Sequence, residues 1–162
     1  MNYFEDIEIG EIRQSGPYTV TKEEAVEFAS RYDPQELHLS EEAAARSHFG
    51  RLSLSGMNTA AIVMRLFVDC PGNVTEASLA GIGIDELRWL KPVYPGDTLT
   101  LRIEAVRKRR SRSRPDTGTA WHKVTAFNQH GGAVISLTLI GLVALRDPQT
   151  ATGSRERPEA SG

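Results

Sequence analysis

The chain has 162 residues, and 40% of them are hydrophobic, which is enough for the buried core of one domain. A net charge of −2 excludes the strong positive field by which a protein attracts nucleic acid or an anionic membrane. The single cysteine, Cys70, excludes an intramolecular disulfide, and no run of eighteen apolar residues predicts a membrane-spanning helix. We therefore expect a soluble, cytoplasmic protein of one domain.

Three helices are predicted in the first half of the chain. The first begins after a capping-box sequence at residues 21–24, and Pro34 disfavours helical backbone at Asp33, where this helix is predicted to end. Ser40 has the properties of an N-cap for a second, short helix, and Gly50 is its expected end. Residues 56–68 are apolar on nearly every side of a helix, which predicts a third helix that other elements surround.

The second half of the chain has the pattern of strands. Residues 98–104 alternate between apolar and polar side chains, and turn sequences at 95–97 and 129–132 separate the strand segments. Further strands are predicted at residues 11–20, 79–90, 119–128 and 134–145. This pattern predicts an α+β fold in which an antiparallel sheet curls around a long central helix. The domain is expected to cover residues 1–146, and residues 147–162, which lack large apolar side chains, are predicted to be a disordered tail.

An aspartate and a histidine five residues apart are the first candidate for chemistry. Asp33 closes the first helix, and the segment that follows is a loop short enough to return the imidazole of His38 toward the carboxylate. A carboxylate and an imidazole that meet at one water form an acid–base pair, because one accepts a proton while the other orients the water or donates. The same spacing also fits an ordinary helix end followed by a surface histidine, so alone it is a weak signal.

The second candidate is the start of the central helix, at Ser55 and Gly56. The free amides of a helix N-terminus favour an oxygen that gains negative charge, and glycine allows a ligand to approach the backbone. The alternative is a structural role, with Ser55 as an N-cap and Gly56 relieving crowding. Together with the acid–base pair, however, such a site matches the addition of water to an unsaturated thioester, whose carbonyl oxygen gains charge while water reaches the β-carbon.

Several segments resemble the MaoC-like dehydratases, a family that includes the (R)-specific enoyl-CoA hydratases. The resemblance is carried by residues 28–44, 49–50, 54–57 and 87–99, and it covers the chain from about residue 3 to 146. The family pattern is D-x-N-P-x-H, followed by an acidic short helix and a small residue with glycine at the start of the central helix. Gln35-Glu36 stands here where the family has Asn-Pro, and Met64 lies where the (R)-specific hydratases tend to have serine.

The resemblance implies a hotdog fold that assembles as a homodimer or a higher homo-oligomer. It also implies action on acyl-CoA or acyl-carrier-protein thioesters, with no metal or redox cofactor and with coenzyme A only as part of the substrate. Asp33 and His38 match the catalytic pair of the family, and Gly56 matches the glycine whose amide contacts the thioester carbonyl. The expected reaction is hydration of 2-enoyl thioesters or dehydration of 3-hydroxyacyl thioesters.

Further residues are predicted to contact the substrate. The first group lies near the pair or on the central helix: Gln35, Ser55 and Asn58. The second lies in the basic run at residues 107–114, where Arg110 and Arg112 would meet the phosphates of coenzyme A or the acidic face of a carrier protein; a solvated hairpin end is the alternative. The two tryptophans, Trp89 and Trp121, are predicted to lie in the strand core. The remaining histidines share no metal-ligand spacing, so no zinc site is expected: His48, His122 and His130.

Two other functions fit the sequence. A hotdog thioesterase would cleave the thioester and release a free thiol. A non-catalytic subunit would bind acyl thioesters without turnover, an alternative that the Gln35-Glu36 departure keeps open.

Overall fold

Five antiparallel strands form one sheet in the order β1-β3-β4-β5-β2 in the computed structural model, which describes residues 3–148. The strands are β1 (Ile12–Thr19), β2 (Ser78–Trp89), β3 (Thr98–Arg110), β4 (Thr117–Phe127) and β5 (Ala133–Ala144). All five predicted strands are therefore present. The predicted disordered tail lies outside the described residues, except for its first two positions.

Strand β3 is the one whose length the sequence pattern underestimated. The alternation ends at residue 104, but the strand continues to Arg110 and pairs Arg107 with Trp121 and Arg110 with Gly118. The first half of the basic run, residues 107–110, is therefore strand, and residues 111–116 connect β3 to β4. Pairing with β4 supplies backbone hydrogen bonds that hold the polar end of the strand extended without an apolar pattern.

The helices are α1 (Lys22–Tyr32), α2 (Glu36–Leu39), α3 (Glu41–Ala45) and α4 (Gly56–Asp69). Both predicted N-cap hydroxyls are in place, because Thr21 Oγ1 accepts from the amide of Glu24 and Ser40 Oγ accepts from the amide of Ala43. The other half of the predicted capping box is not formed, since the carboxylate of Glu24 accepts from the hydroxyl of Tyr18. The prediction that the second helix ends at Gly50 is wrong: α3 ends at Ala45, and Gly50 lies in the following loop with a φ of +68°.

The core lies between α4 and the concave face of the sheet. Ile62, Val63 and Leu66 of α4 pack in one cluster with the alternating side chains of β3, Leu99 and Leu101, all of them less than 5% exposed. Burying each such side chain stabilises the fold by about 1.5–3 kcal/mol relative to leaving it in water. This contact fixes the helix across the sheet and so determines where its N-terminus, at Gly56, lies.

The opposite side of α4 is exposed, which corrects the prediction of a helix buried on nearly every side. Met57, Met64 and Val68 form a stripe along the helix, and each is at least 40% exposed. Leu79 and Ile84 of β2 line one groove with Met64 and Val68, and Ile82 of the same strand is exposed as well. We call six exposed residues of α4 and β2 together the apolar face: Met57, Met64, Val68, Leu79, Ile82 and Ile84. The sheet covers only one side of α4, because five strands curve around the helix without enclosing it.

Strand β2 leaves one edge of the sheet open. It ends the strand order and pairs only with β5, from Ser78 opposite Val143 to Trp89 opposite Ile135. Among residues 3–148, no helix is long and apolar enough to cross a membrane.

Candidate active site

Helix α1 and the short helix α2 bring Asp33 and His38 together. Asp33 follows the last residue of α1 and donates its backbone N–H to Ala29, and Pro34 then diverts the chain. His38 lies on α2, rather than in the predicted loop, and is 7% exposed. Its Nε2 is 3.7 Å from Oδ2 of Asp33. That separation is too long for a direct hydrogen bond and short enough for one water to bridge both atoms.

The backbone of Ser53 determines which nitrogen of His38 carries the proton. Nδ1 lies 2.8 Å from the carbonyl oxygen of Ser53. Because a carbonyl oxygen only accepts, Nδ1 is the donor, and in the neutral imidazole Nε2 keeps its lone pair. The nitrogen that faces Asp33 is thus the one that accepts a proton.

Two side chains hold the carboxylate of Asp33. Ser55 Oγ donates to Oδ2 at 2.6 Å, and Gln35 Nε2 donates to Oδ1 at 2.7 Å. The hydrogen bond from Ser55, followed by that from Gln35, lowers the pKa of Asp33 below its usual value, against the opposing effect of burial. Gln35 therefore holds the carboxylate even though the family pattern has Asn-Pro in this loop.

Replacing Ser55 with alanine is expected to raise the pKa of Asp33, because it removes the largest cause of the depression. Because its pKa is depressed in the folded protein, Asp33 stays ionised to lower pH there than in the unfolded chain. It therefore stabilises the fold at pH values above its pKa in the unfolded chain, and this stabilisation is lost as the pH falls through its pKa in the folded protein. The midpoint is measured by carbon NMR of the labelled carboxyl group. Ser55→Thr keeps the hydroxyl and serves as the control, and an equal midpoint in Ser55→Ala would contradict the assignment.

A pocket of about 510 Å³ opens beside the pair. This volume lies in the usual range for small-molecule sites. Asp33, Gln35 and His38 line the pocket on one side, and Gly56 lines it at the start of α4. The last residue of β2 and the segment that follows it also line the pocket: Trp89, Leu90, Lys91, Pro92 and Val93. Of the lining residues, His38 and Val93 are buried, whereas Trp89, Leu90 and Lys91 are exposed. We call the exposed part the outer end of the pocket and expect a ligand to enter there.

Comparison with known proteins identifies the family. Residues 6–126 match the family model of the MaoC-like domain, which is most of the chain. The chain belongs to the MaoC-like family. Mesaconyl-CoA hydratase of Cereibacter sphaeroides is 28% identical over 161 residues, which are 99% of this chain and 46% of that protein. The chain thus spans about half the length of this curated relative.

Solved structures agree with the fold. The MaoC-like dehydratase from Rhodospirillum rubrum superposes with a TM-score of 0.84 at 35% identity, covering 91% of this chain and 99% of that one. A protein from Mycobacterium tuberculosis described as a double hotdog fold superposes with a TM-score of 0.75 at 18% identity, covering 99% of this chain and 51% of that one. The sheet and central helix of this MaoC-like protein therefore form a hotdog fold, as the resemblance implied.

Trp89 is a residue of this MaoC-like site that the sequence did not reveal. It was predicted to lie in the strand core, but its side chain is 53% exposed and lines the pocket. Its Nε1 donates to the carbonyl oxygen of Gly56 at 2.8 Å, and its ring occupies the space that a side chain at position 56 would need. As the first residue of α4, Gly56 has no acceptor within the helix for its own N–H. Trp89 and Gly56 thus form one unit at the pocket wall.

Asn58, Arg110 and Arg112 are not brought to the pocket within one chain. Asn58 is 2% exposed and does not line the pocket, whereas the neighbouring Thr59 does. Arg110 forms an ion pair with Glu5 at 3.2 Å. It lies at the Ser78 end of the sheet, about 30 Å along the strands from the Trp89 end, and Arg112 follows it in the connection to β4. Residues 3–148 contain no cluster of three metal-ligating side chains.

Proposed function

We propose that this MaoC-like protein adds water to 2-enoyl thioesters, or removes it from 3-hydroxyacyl thioesters, at Asp33 and His38. The observation that carries the proposal is the 3.7 Å gap between Oδ2 of Asp33 and the lone pair of His38 Nε2, at the wall of a pocket that also reaches Gly56. A water there donates one hydrogen to each acceptor, so its oxygen lone pairs face the pocket. Such a water is oriented as a nucleophile.

In the hydration direction, Asp33 takes a proton from the water while the water oxygen forms a bond to the β-carbon. His38 holds the same water and assists the proton transfer. The electrons of the double bond move toward the thioester carbonyl, and the amide of Gly56 stabilises the enolate oxygen. The enolate then collapses, and its α-carbon receives the proton that the water gave up. Dehydration runs through the same steps in reverse.

We further propose that the acyl group arrives on coenzyme A or on a carrier protein and that no metal or redox cofactor takes part. Coenzyme A then enters only as part of the substrate. This fits the curated relative whose name is mesaconyl-CoA hydratase. The cytoplasmic location expected from the sequence stays a prediction.

The function is tested by incubating the purified chain with a panel of 2-enoyl-CoA esters, straight, branched and dicarboxylic. Two signals are followed, the enoyl absorbance and free thiol detected with a thiol reagent. Hydration removes the enoyl absorbance without releasing thiol. Release of thiol would instead favour a thioesterase, and tight binding of the esters without change in either signal would favour a non-catalytic binding subunit.

We also propose that two copies assemble through the apolar face and the open edge of β2. The open edge of β2 can pair antiparallel with the same edge of a second copy. A two-fold axis would also bring the apolar faces of the two copies into contact with each other. The protein from Mycobacterium tuberculosis, described as a double hotdog fold, has about twice the length of this chain and gives a precedent for pairing two such domains.

Ile82→Lys is expected to convert the homodimer to a monomer, because it places a charge in the apolar face, where Ile82 is 53% exposed. The molar mass is measured by light scattering after size-exclusion chromatography. Thr100→Lys places the same charge on β3, away from that face, and should leave the mass unchanged. A dimer mass for Ile82→Lys would contradict this interface.

A further inference from the structure

Lys91 places an unpaired positive charge at the outer end of the pocket. It lines the pocket in the segment after β2, and its side chain is exposed. Its Nζ lies beside Gly132: a Cβ atom added to that glycine would be 3.0 Å from the Nζ of Lys91. Among residues 3–148 no carboxylate lies within ion-pair distance of this ammonium group. The cation is therefore free to meet an anion that arrives with a ligand.

Arg51 supplies a second cation on the adjoining segment, next to the residues that line the pocket rather than among them. Its guanidinium carbon is 3.5 Å from the centre of the Tyr94 ring, a cation–π contact that holds the group at this position. The segment that carries Arg51 runs beside the one that carries Lys91, because the amide of Leu54 donates to Val93 at 2.8 Å. Arg51 also has no ion-pair partner within the described part of the chain.

The pocket offers these cations no anion of its own. Asp33 is the single acidic residue among those that line it, and Ser55 and Gln35 already hold that carboxylate. Several exposed cations elsewhere on the described surface form ion pairs, as in Lys22–Glu41 and Arg46–Glu42, although others, such as Arg88, do not. The charge at the mouth is thus uncompensated, which is the property expected of an anion-binding position.

We propose that Lys91 and Arg51 form a phosphate-binding rim for the pantetheine arm of the substrate, an inference that rests on the proposed function. With the thioester carbonyl at Gly56, the arm would leave the pocket past Leu90 and Lys91, which line it and are exposed. The phosphate of this arm is common to coenzyme A and to carrier proteins. The rim replaces Arg110 and Arg112 in this role within one chain, since those residues lie at the other end of the sheet.

The test compares thioesters that differ only in their phosphates: the pantetheine ester, the phosphopantetheine ester and the coenzyme A ester of one enoyl group. Lys91→Gln and Arg51→Gln are expected to raise KM about fivefold to tenfold for the two phosphate-bearing esters, with kcat unchanged, because each variant removes a charge-assisted contact. The increase should shrink at high salt. KM for the pantetheine ester should not change. Lys22→Gln, which removes a paired surface charge, is the matched control.

Three results would overturn the rim. One is an equal change in KM for the pantetheine ester, another is no change for any ester. The third is an effect confined to the coenzyme A ester, which would assign the contact to the adenosine part of coenzyme A. Arg112→Gln adds a comparison: if it raises KM for the phosphate esters while Lys91→Gln does not, the basic hairpin of a second copy binds the phosphate instead.

The outcome for the rim is separable from the outcome for the chemistry. Calorimetric titration of the wild-type chain and of Lys91→Gln with coenzyme A and with phosphate-free pantetheine measures binding without turnover. Weaker binding of coenzyme A alone supports the rim even if no enoyl ester is hydrated. Carrier protein loaded with the same enoyl group, compared with the coenzyme A ester by kcat/KM, then distinguishes the two natural sources of the phosphate.

Discussion

Asp33→Asn is expected to lower kcat for hydration by at least 100-fold while the protein stays folded. Asparagine has nearly the same shape and keeps an oxygen for the hydroxyl of Ser55, which donates at 2.6 Å, but it cannot take a proton from water. His38→Ala should cause a loss of similar size, because the water then lacks its second acceptor. General acid–base catalysis contributes roughly 10²–10⁴ in rate, which sets this magnitude. The kcat of each variant is measured from the decrease of enoyl absorbance at saturating substrate.

Circular dichroism and thermal unfolding of the two variants serve as the control for folding. Asp33 is partly exposed and lies at a helix end, so its replacement should cost little stability. His38 is buried, and its loss also removes the hydrogen bond to Ser53, so His38→Gln provides a second variant that fills more of the site. If a folded variant of either residue kept most of its activity, the pair would not be the acid–base machinery.

The sequence predicted the fold well where a single pattern carried it. The apolar run of α4 specifies a helix, and the alternation of Leu99 and Leu101 specifies a strand together with its buried face, both without knowledge of any partner. The pairing of Asp33 with His38 was predictable for a related reason. Both residues lie in one short segment, and Pro34 limits the path between them.

The features that the sequence did not predict depend on contacts between distant segments. The sequence pattern predicts Trp89 as a residue of the strand core. Its side chain lines the pocket because β2 ends beside the start of α4. The polar end of β3 is held by register with β4, which no local pattern records. Likewise, the position of Arg110 relative to the pocket follows from the direction and length of that strand.

Gly56→Ala is expected to lower kcat about 100-fold through the contact between Gly56 and Trp89. A Cβ atom at position 56 would lie 2.7 Å from Nε1 and Cε2 of the indole, so the ring or the start of α4 must move. Such a movement breaks the 2.8 Å hydrogen bond from Trp89 Nε1 to the carbonyl oxygen of Gly56. It also moves the N–H of residue 56 away from the enolate oxygen that this N–H would stabilise. Loss of one such donor typically costs about 10²–10³ in rate. The constant is measured in the enoyl absorbance assay.

The double variant Gly56→Ala with Trp89→Ala separates the two causes of such a loss. Removing the indole makes room for the new methyl group, so the amide can return to its place even though the pocket wall is missing. We expect the double variant to be more active than Gly56→Ala alone, and Trp89→Ala by itself to show a smaller loss than Gly56→Ala. A double variant no better than Gly56→Ala would mean that the methyl group obstructs the thioester directly. Wild-type kcat in Gly56→Ala would remove this amide from the mechanism, because a displaced donor could not then be needed for the enolate.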